Sequence, residues 1–159
     1  MYKQELSEIV SFCKKVNKRY KIYLIPLHLG KDNFSEDYLF AIKILNKVEM
    51  CCIKVWDNVE ELKNIFEEVK FFVVSRFHGI IMCLMCEKKF FCVSNNLKLT
   101  NFVKDIGMGE TLVSTYDKID INKIENIEKN FVGSFEHICM GYKNKLEEKF
   151  LQFKQKGWI

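Results

Sequence analysis

The sequence predicts an α/β fold, a Rossmann-like parallel sheet of about five strands flanked by helices, with a long C-terminal helix. Three observations predict it. Short apolar runs of strand length alternate with amphipathic helical segments along most of the chain. The runs FFVVS at 71–75 and FFCVS at 90–94 are apolar throughout, as strands covered on both faces are. The 159 residues are 48% apolar and include 14 Phe, 6 Tyr and 2 Trp, enough buryable surface for one domain over 1–159.

The elements follow in order. Residues 4–18 open with a helical pattern, Leu6, Ile9, Val10 and Cys13 recurring at three- and four-residue spacing. KIYLIPLH then places a strand at 21–25. Ser35 to Lys47 reads as a helix, with Leu39, Ile42, Ile44 and Leu45 inside it and Asn33 and Ser35 as cap candidates before it. A short strand is expected around CCIKVW at 51–56.

Asp57 and Asn58 offer an N-cap to the clearest amphipathic helix, in which Val59, Leu62, Ile65, Phe66 and Val69 share one face. FFVVS runs directly into RFHG and a helix over IIMCLMC; FFCVS is followed by a helix near Leu97–Ile106 that Gly107 stops. TLVS at 111–114 is the fifth strand candidate, and a polar segment with a short helix follows. From Ser134 to Gln155, Phe135, Ile138, Cys139, Tyr142, Leu146, Phe150 and Phe153 keep helical spacing, giving one long helix whose apolar stripe needs a cover.

Composition excludes several classes. Seven Gly and one Pro rule out a collagenous chain, and no apolar run approaches the roughly 20 residues that cross a bilayer. The N-terminus lacks the apolar stretch of a signal peptide, so a cytoplasmic location and no transmembrane segment are expected. The net charge of +4 arises from dispersed lysines, which argues against nucleic acid as a partner. The seven cysteines are odd in number and lie mostly in apolar runs, as free thiols of a reducing compartment do. Cys83 and Cys86 form a lone CxxC in an apolar helix, read as core packing, and no metal is assigned.

In an open parallel sheet, ligands bind beyond the carboxyl ends of the strands. Three strand exits carry informative residues: Pro26, Leu27 and His28; Ser75, Arg76, Phe77 and His78; and Ser94, Asn95, Asn96 and Lys98. Arg19 and Arg76 are the only arginines among 25 basic residues, so Arg76 is an exception in a chain that otherwise uses lysine. A guanidinium grips a carboxylate or phosphate through two parallel hydrogen bonds, which an ammonium cannot.

In an extended turn Arg76 and His78 project to the same side while Phe77 packs inward, and Gly79 admits a close backbone approach. The following helix start adds N–H groups and the positive end of its dipole, which favour a small anion and disfavour a second proton on His78. A structural reading stands beside this one. Arg76 can serve a structural ion pair, His78 a cap, His28 a loop, Asp32 or Asp37 a helix start, and Lys98 can simply be solvated.

The stretch VVSRFHGIIMCLMCEKKFFCVSNNLKLTNFVKDIGM resembles the polysaccharide pyruvyl transferase family. The likeness lies in a strand, SRxH with a small residue next, an apolar helix, a second strand, a polar turn with a lysine, and a helix ended by glycine. Here these are Ser75, Arg76, His78, Gly79, Lys98 and Gly107; IPLH with Asp37 and KVWDNVEELKNIFEEVKFFVVS match in kind and order. The resemblance covers about residues 20–110. Two departures stand out: the family usually has a Gly and Pro turn where this chain has Glu87, Lys88 and Lys89, and an aromatic–Asp turn where it has Asn95 and Asn96.

The resemblance implies the C-terminal half of a two-domain GT-B-like transferase. The N-terminal domain is then expected on a companion polypeptide, to be replaced by homo-oligomerisation, or to be lost through gene truncation. It implies transfer of pyruvyl as a ketal from phosphoenolpyruvate to a glycan or lipid-linked sugar of a cell-surface polysaccharide, with phosphoenolpyruvate as donor substrate and no cofactor. Arg76 and His78 are then the catalytic candidates. Ser75, Arg76, His78, Gly79, Ser94, Asn95, Lys98 and His28 are the substrate-binding candidates. Two alternatives remain beside this reading: a half of a GT-B glycosyltransferase or sugar-nucleotide epimerase, and a non-catalytic remnant that binds a partner through its terminal helix.

Overall fold

The computed structural model describes residues 2–27 and 36–120, together with Asn122, Met140, Gly141 and Asn144. In chain order the elements are α1 (Tyr2–Val16), β1 (Ile22–Leu24), α2 (Glu36–Leu45), β2 (Cys51–Ile53), α3 (Val59–Glu68), β3 (Phe71–Val74), α4 (Phe77–Met85), β4 (Lys89–Val93), α5 (Leu97–Asp105) and β5 (Leu112–Val113), with 3-10 turns at Gly109–Thr111 and Tyr116–Lys118. Most of the long helix expected over Ser134–Gln155 lies outside the described residues; Met140, Gly141 and Asn144 are helical.

Every strand pair is parallel. β1 pairs with β2, with Ile22 opposite Cys51 and Leu24 opposite Ile53. β3 pairs with β4 from Phe71–Lys89 to Val74–Cys92, and β4 continues to β5 through Cys92–Leu112 and Val93–Val113. The two groups are separate ladders, in the orders β1–β2 and β3–β4–β5. They lie side by side: β1 and β3 flank one cavity, and residues of both groups share one hydrophobic core, Ile22, Leu24 and Cys51 with Phe71, Val73, Phe91 and Val113. The spatial order is thus β2–β1–β3–β4–β5, a doubly wound arrangement in which the direction of winding reverses between β1 and β3.

Strand alternation builds the two cores. Phe72, Val74, Phe90 and Cys92 meet α3, α4 and α5 through Leu62, Phe66, Ile80, Cys83, Leu84, Leu99 and Val103. Phe71, Val73, Phe91 and Val93 turn to the opposite face with Ile22 and Leu24, against Ile9, Phe12, Cys13 and Val16 of α1 and Ile44 of α2. Both faces of the sheet are therefore covered, which is why 71–75 and 90–94 read as continuous apolar runs. The second strand is shorter than the CCIKVW stretch. Its ladder ends with the Lys54 N–H donating to Leu24 O at 2.9 Å, after which the Trp56 indole N–H donates to Pro26 O at 2.9 Å.

The helix ends follow local chemistry. Asn58 caps α3 by accepting from the Glu61 N–H at 2.9 Å, while the Glu61 carboxylate accepts from the Asp57 N–H at 2.9 Å, a near relative of the capping box. Asn96 caps α5 by accepting from the Lys98 N–H at 2.9 Å. Gly107, at φ 77°, ends α5 in a Schellman motif: Met108 N–H donates to Val103 O and Gly107 N–H to Lys104 O, both at 2.9 Å. The same motif ends α4, with Lys88 N–H to Cys83 O at 2.7 Å and Glu87 N–H to Leu84 O at 3.3 Å. There the left-handed position is held by Glu87, at φ 53°.

Candidate functional site at the exits of the first and third strands

The reversal of winding puts the carboxyl ends of β1 and β3 next to each other, the place where an open α/β sheet leaves a crevice. Two helices start there. α2 begins at Glu36 with two carboxylates in its first turn, and α4 begins at Phe77 directly after β3. Gly79 of α4 packs against the strand exits. A Cβ at this position would lie 3.1 Å from Leu27 Cδ1 and 3.2 Å from Val74 Cγ1. The glycine therefore lets α4 close onto the ends of both strands, so the backbone approach expected of it is made to protein side chains.

Arg76 is the N-cap of α4, in extended backbone, and makes no side-chain capping bond. Its side chain turns instead to α2, where Nη2 donates to Asp37 Oδ1 at 2.7 Å. The ion pair is asymmetric: the Arg76 side chain is 62% exposed and the Asp37 side chain 18%. The structural ion pair weighed for Arg76 is thus present, formed with a residue read from sequence as a helix-start carboxylate, and Asp37 fills both roles.

Ser75, Arg76, Gly79 and Asp37 lie on the wall of a cavity of about 540 Å³ that runs between β1 and β3. Its walls are largely apolar, contributed by Phe12 of α1, Phe40 and Ile44 of α2, Phe66 of α3 and the two strands. Tyr116, which no sequence pattern marked, reaches the same space. Burial pushes the Tyr116 phenol up to about 12, against a smaller opposing effect of the Ser75 hydroxyl. Burial likewise pushes the Cys13 thiol, on the wall near Tyr116, up to about 12, so this end of the cavity holds uncharged groups.

The remaining candidates are placed apart. α4 starts at Phe77, so residues 76–78 are not one extended turn. Phe77 is 40% exposed, its ring 4.7 Å from Phe102, and His78 is exposed on the first helical turn with its ring 6.3 Å from that of Phe77. His78 does not border the cavity. Ser94, Asn95 and Lys98 cluster at the exit of β4, where Ser94 Oγ accepts from the Asn96 N–H at 3.0 Å and Lys98 is exposed. His28 lies outside the described residues. Cys83 is fully buried in the α4 core, and Cys86 forms the C-cap of that helix.

The start of α4 therefore presents an arginine on the cavity wall and, beside the cavity, the Phe77 and His78 N–H groups that have no acceptor within the helix, with the positive end of a helix dipole. Such a constellation binds anions. A model of the family described as polysaccharide pyruvyl transferase matches residues 2–96, more than half of the chain. The chain belongs to the polysaccharide pyruvyl transferase family. The matched stretch begins with α1 and ends at the Asn96 cap of α5, so it holds the Asp37–Arg76 pair, His78, Gly79, Ser94 and Asn95 and leaves Lys98 outside. No curated protein and no solved structure matches the chain. A polysaccharide pyruvyl transferase is a transferase of polysaccharide biosynthesis, with a polysaccharide as acceptor. Among the described residues, no helix is long and apolar enough to cross a membrane.

Proposed function

We propose that this chain binds phosphoenolpyruvate at the start of α4 and serves the donor side of pyruvyl transfer to a polysaccharide sugar. The observation that carries the reading is Arg76, one of two arginines in the chain, standing at the β3 exit on the N-terminus of α4 in a member of this family. Phosphoenolpyruvate is a small multiply charged anion, and a guanidinium fork with helix N–H groups is suited to its carboxylate or phosphate.

In the reaction, a proton adds to the methylene carbon of the enol and leaves an oxocarbenium-like centre at the carbon bearing phosphate. One sugar hydroxyl attacks that carbon and phosphate departs; a second hydroxyl then closes the ketal. The two hydroxyl protons balance the new methyl group and the released phosphate. Charge grows on the leaving phosphate, so donors already aimed at it favour the transition state. Arg76 is the clamp in this scheme. His78, on the first turn of α4, is the second candidate to contact the phosphate in this scheme.

Titration calorimetry with phosphoenolpyruvate tests the reading, comparing the unaltered chain with Arg76→Lys and His78→Ala and using inorganic phosphate and a uridine sugar nucleotide as controls. Saturable binding is expected, at least tenfold weaker in Arg76→Lys because the bidentate contact is lost, by about 1.5–3 kcal/mol. Equal affinity in Arg76→Lys removes the clamp. Tighter binding of the sugar nucleotide than of phosphoenolpyruvate moves the chain to a nucleotide-sugar chemistry.

A further inference from the structure

The geometry points to Asp37 as the residue that sets Arg76 for its ligand, an inference that rests on the anion-binding reading above. The two members of the pair differ in how they are held. Asp37 is in the first turn of α2, its side chain only 18% exposed, where the helix dipole favours a carboxylate. Arg76 is at the surface end, 62% exposed, on a long side chain with no capping bond to its own helix. The fixed member is the carboxylate, and the guanidinium is positioned by it.

Without that contact an exposed arginine samples many rotamers, and binding an anion must immobilise it. With it, part of that ordering is already in place before the ligand arrives. The contact engages Nη2 with a single carboxylate oxygen, Oδ1, at 2.7 Å. A guanidinium carries five N–H donors, so the fork keeps donors for a bidentate grip while its direction is set. Asp37 is a positioning residue in this account. It acts through Arg76.

Two measurements test it. The chain has only Arg19 and Arg76, so the arginine Nε–H region of a nitrogen–proton NMR spectrum holds two signals, assigned by the loss of one in Arg76→Lys. The heteronuclear NOE of the Arg76 Nε–H is expected to fall by about half in Asp37→Ala, with the backbone spectrum unchanged. Calorimetry in about 0.15 M salt, where the charge of Asp37 is screened beyond roughly 8 Å, is expected to show inorganic phosphate and phosphoenolpyruvate bound about threefold to tenfold more weakly by Asp37→Ala. Asp37→Asn, which keeps an acceptor oxygen, restores part of the loss, and Asp37→Ala adds nothing in an Arg76→Gln background.

Equal Arg76 mobility in the unaltered chain and in Asp37→Ala overturns the inference. So does a gain in phosphate affinity in Asp37→Asn, which would mean that the carboxylate competes with the ligand for the arginine. If the unaltered chain binds neither anion, the donor-site reading fails, while the NMR comparison still decides whether Asp37 orders Arg76.

Discussion

Replacing Glu87 with glycine should stabilise this protein. Glu87 is the C′ residue of α4, at φ 53°, and the Schellman bonds from Lys88 to Cys83 and from Glu87 to Leu84 require that backbone. A side chain in this left-handed region costs roughly 1–2 kcal/mol, because Cβ crowds the following carbonyl. Glycine avoids that cost but adds unfolded-state freedom of about 0.4–1 kcal/mol. The difference is a net gain of about 0.5–1 kcal/mol, or roughly 1–4 °C in melting temperature for a chain of this size. Urea unfolding of the unaltered chain, Glu87→Gly and Glu87→Ala measures it. Alanine keeps Cβ and removes the charge, so it should give little of the gain. Equal stabilisation by alanine and glycine, or none by glycine, would refute the backbone argument and point to repulsion or attraction between Glu87 and its neighbours.

Other outcomes follow from the same packing. Gly79→Val should cost about 1–3 kcal/mol, because its Cβ falls 3.1 Å from Leu27 Cδ1 and 3.2 Å from Val74 Cγ1, both tighter than ordinary packing; a urea midpoint equal to that of the unaltered chain would contradict this packing. Stability should fall as pH rises from about 9 towards 12: burial raises the thiols of Cys13 to about 12 and Cys51 and Cys92 to about 11, and the phenol of Tyr116 to about 12. The folded state then holds protons that the unfolded state releases, so this stability is complete below the unfolded values and is lost on passing through the folded ones. Urea midpoints under reducing conditions at pH 8 and pH 10.5 check the sign, with a shallower decline expected in Cys92→Val.

Much of the fold was legible because its signals are local. Asn58 caps a helix as its position suggests, Gly107 takes the positive φ of a helix stop, and the continuous apolar runs are strands buried on both faces. Glu87 was not legible as a left-handed residue, because the conformation is imposed by the closure of α4 onto β4 and by no preference of glutamate. The second strand is also shorter than its apolar run. Hydrophobicity continues through Val55 and Trp56, but the indole leaves the ladder to bond Pro26 O, a contact between residues 30 positions apart.

The candidate site divides in the same way. Arg76 stood out by composition alone, since a lysine-rich chain that places an arginine at a strand exit signals planar, two-point recognition. Its partner did not. Asp37 is 39 positions away and reads locally as an ordinary helix-start carboxylate; Tyr116 reads as part of a polar turn until burial places it beside Ser75. The separation of His78 from the cavity likewise depends on α4 starting at Phe77, one residue earlier than the extended turn would allow.

The sequence by itself determined the class of fold, the order of its elements and most helix ends, because propensity, capping and period are set by neighbours along the chain. The tertiary structure alone decided that β1 faces β3 across a cavity, that Gly79 is filled against by Leu27 and Val74, and that Asp37 holds Arg76. Those contacts join residues far apart in the chain, and they exist only once two helices start at the same end of a doubly covered sheet.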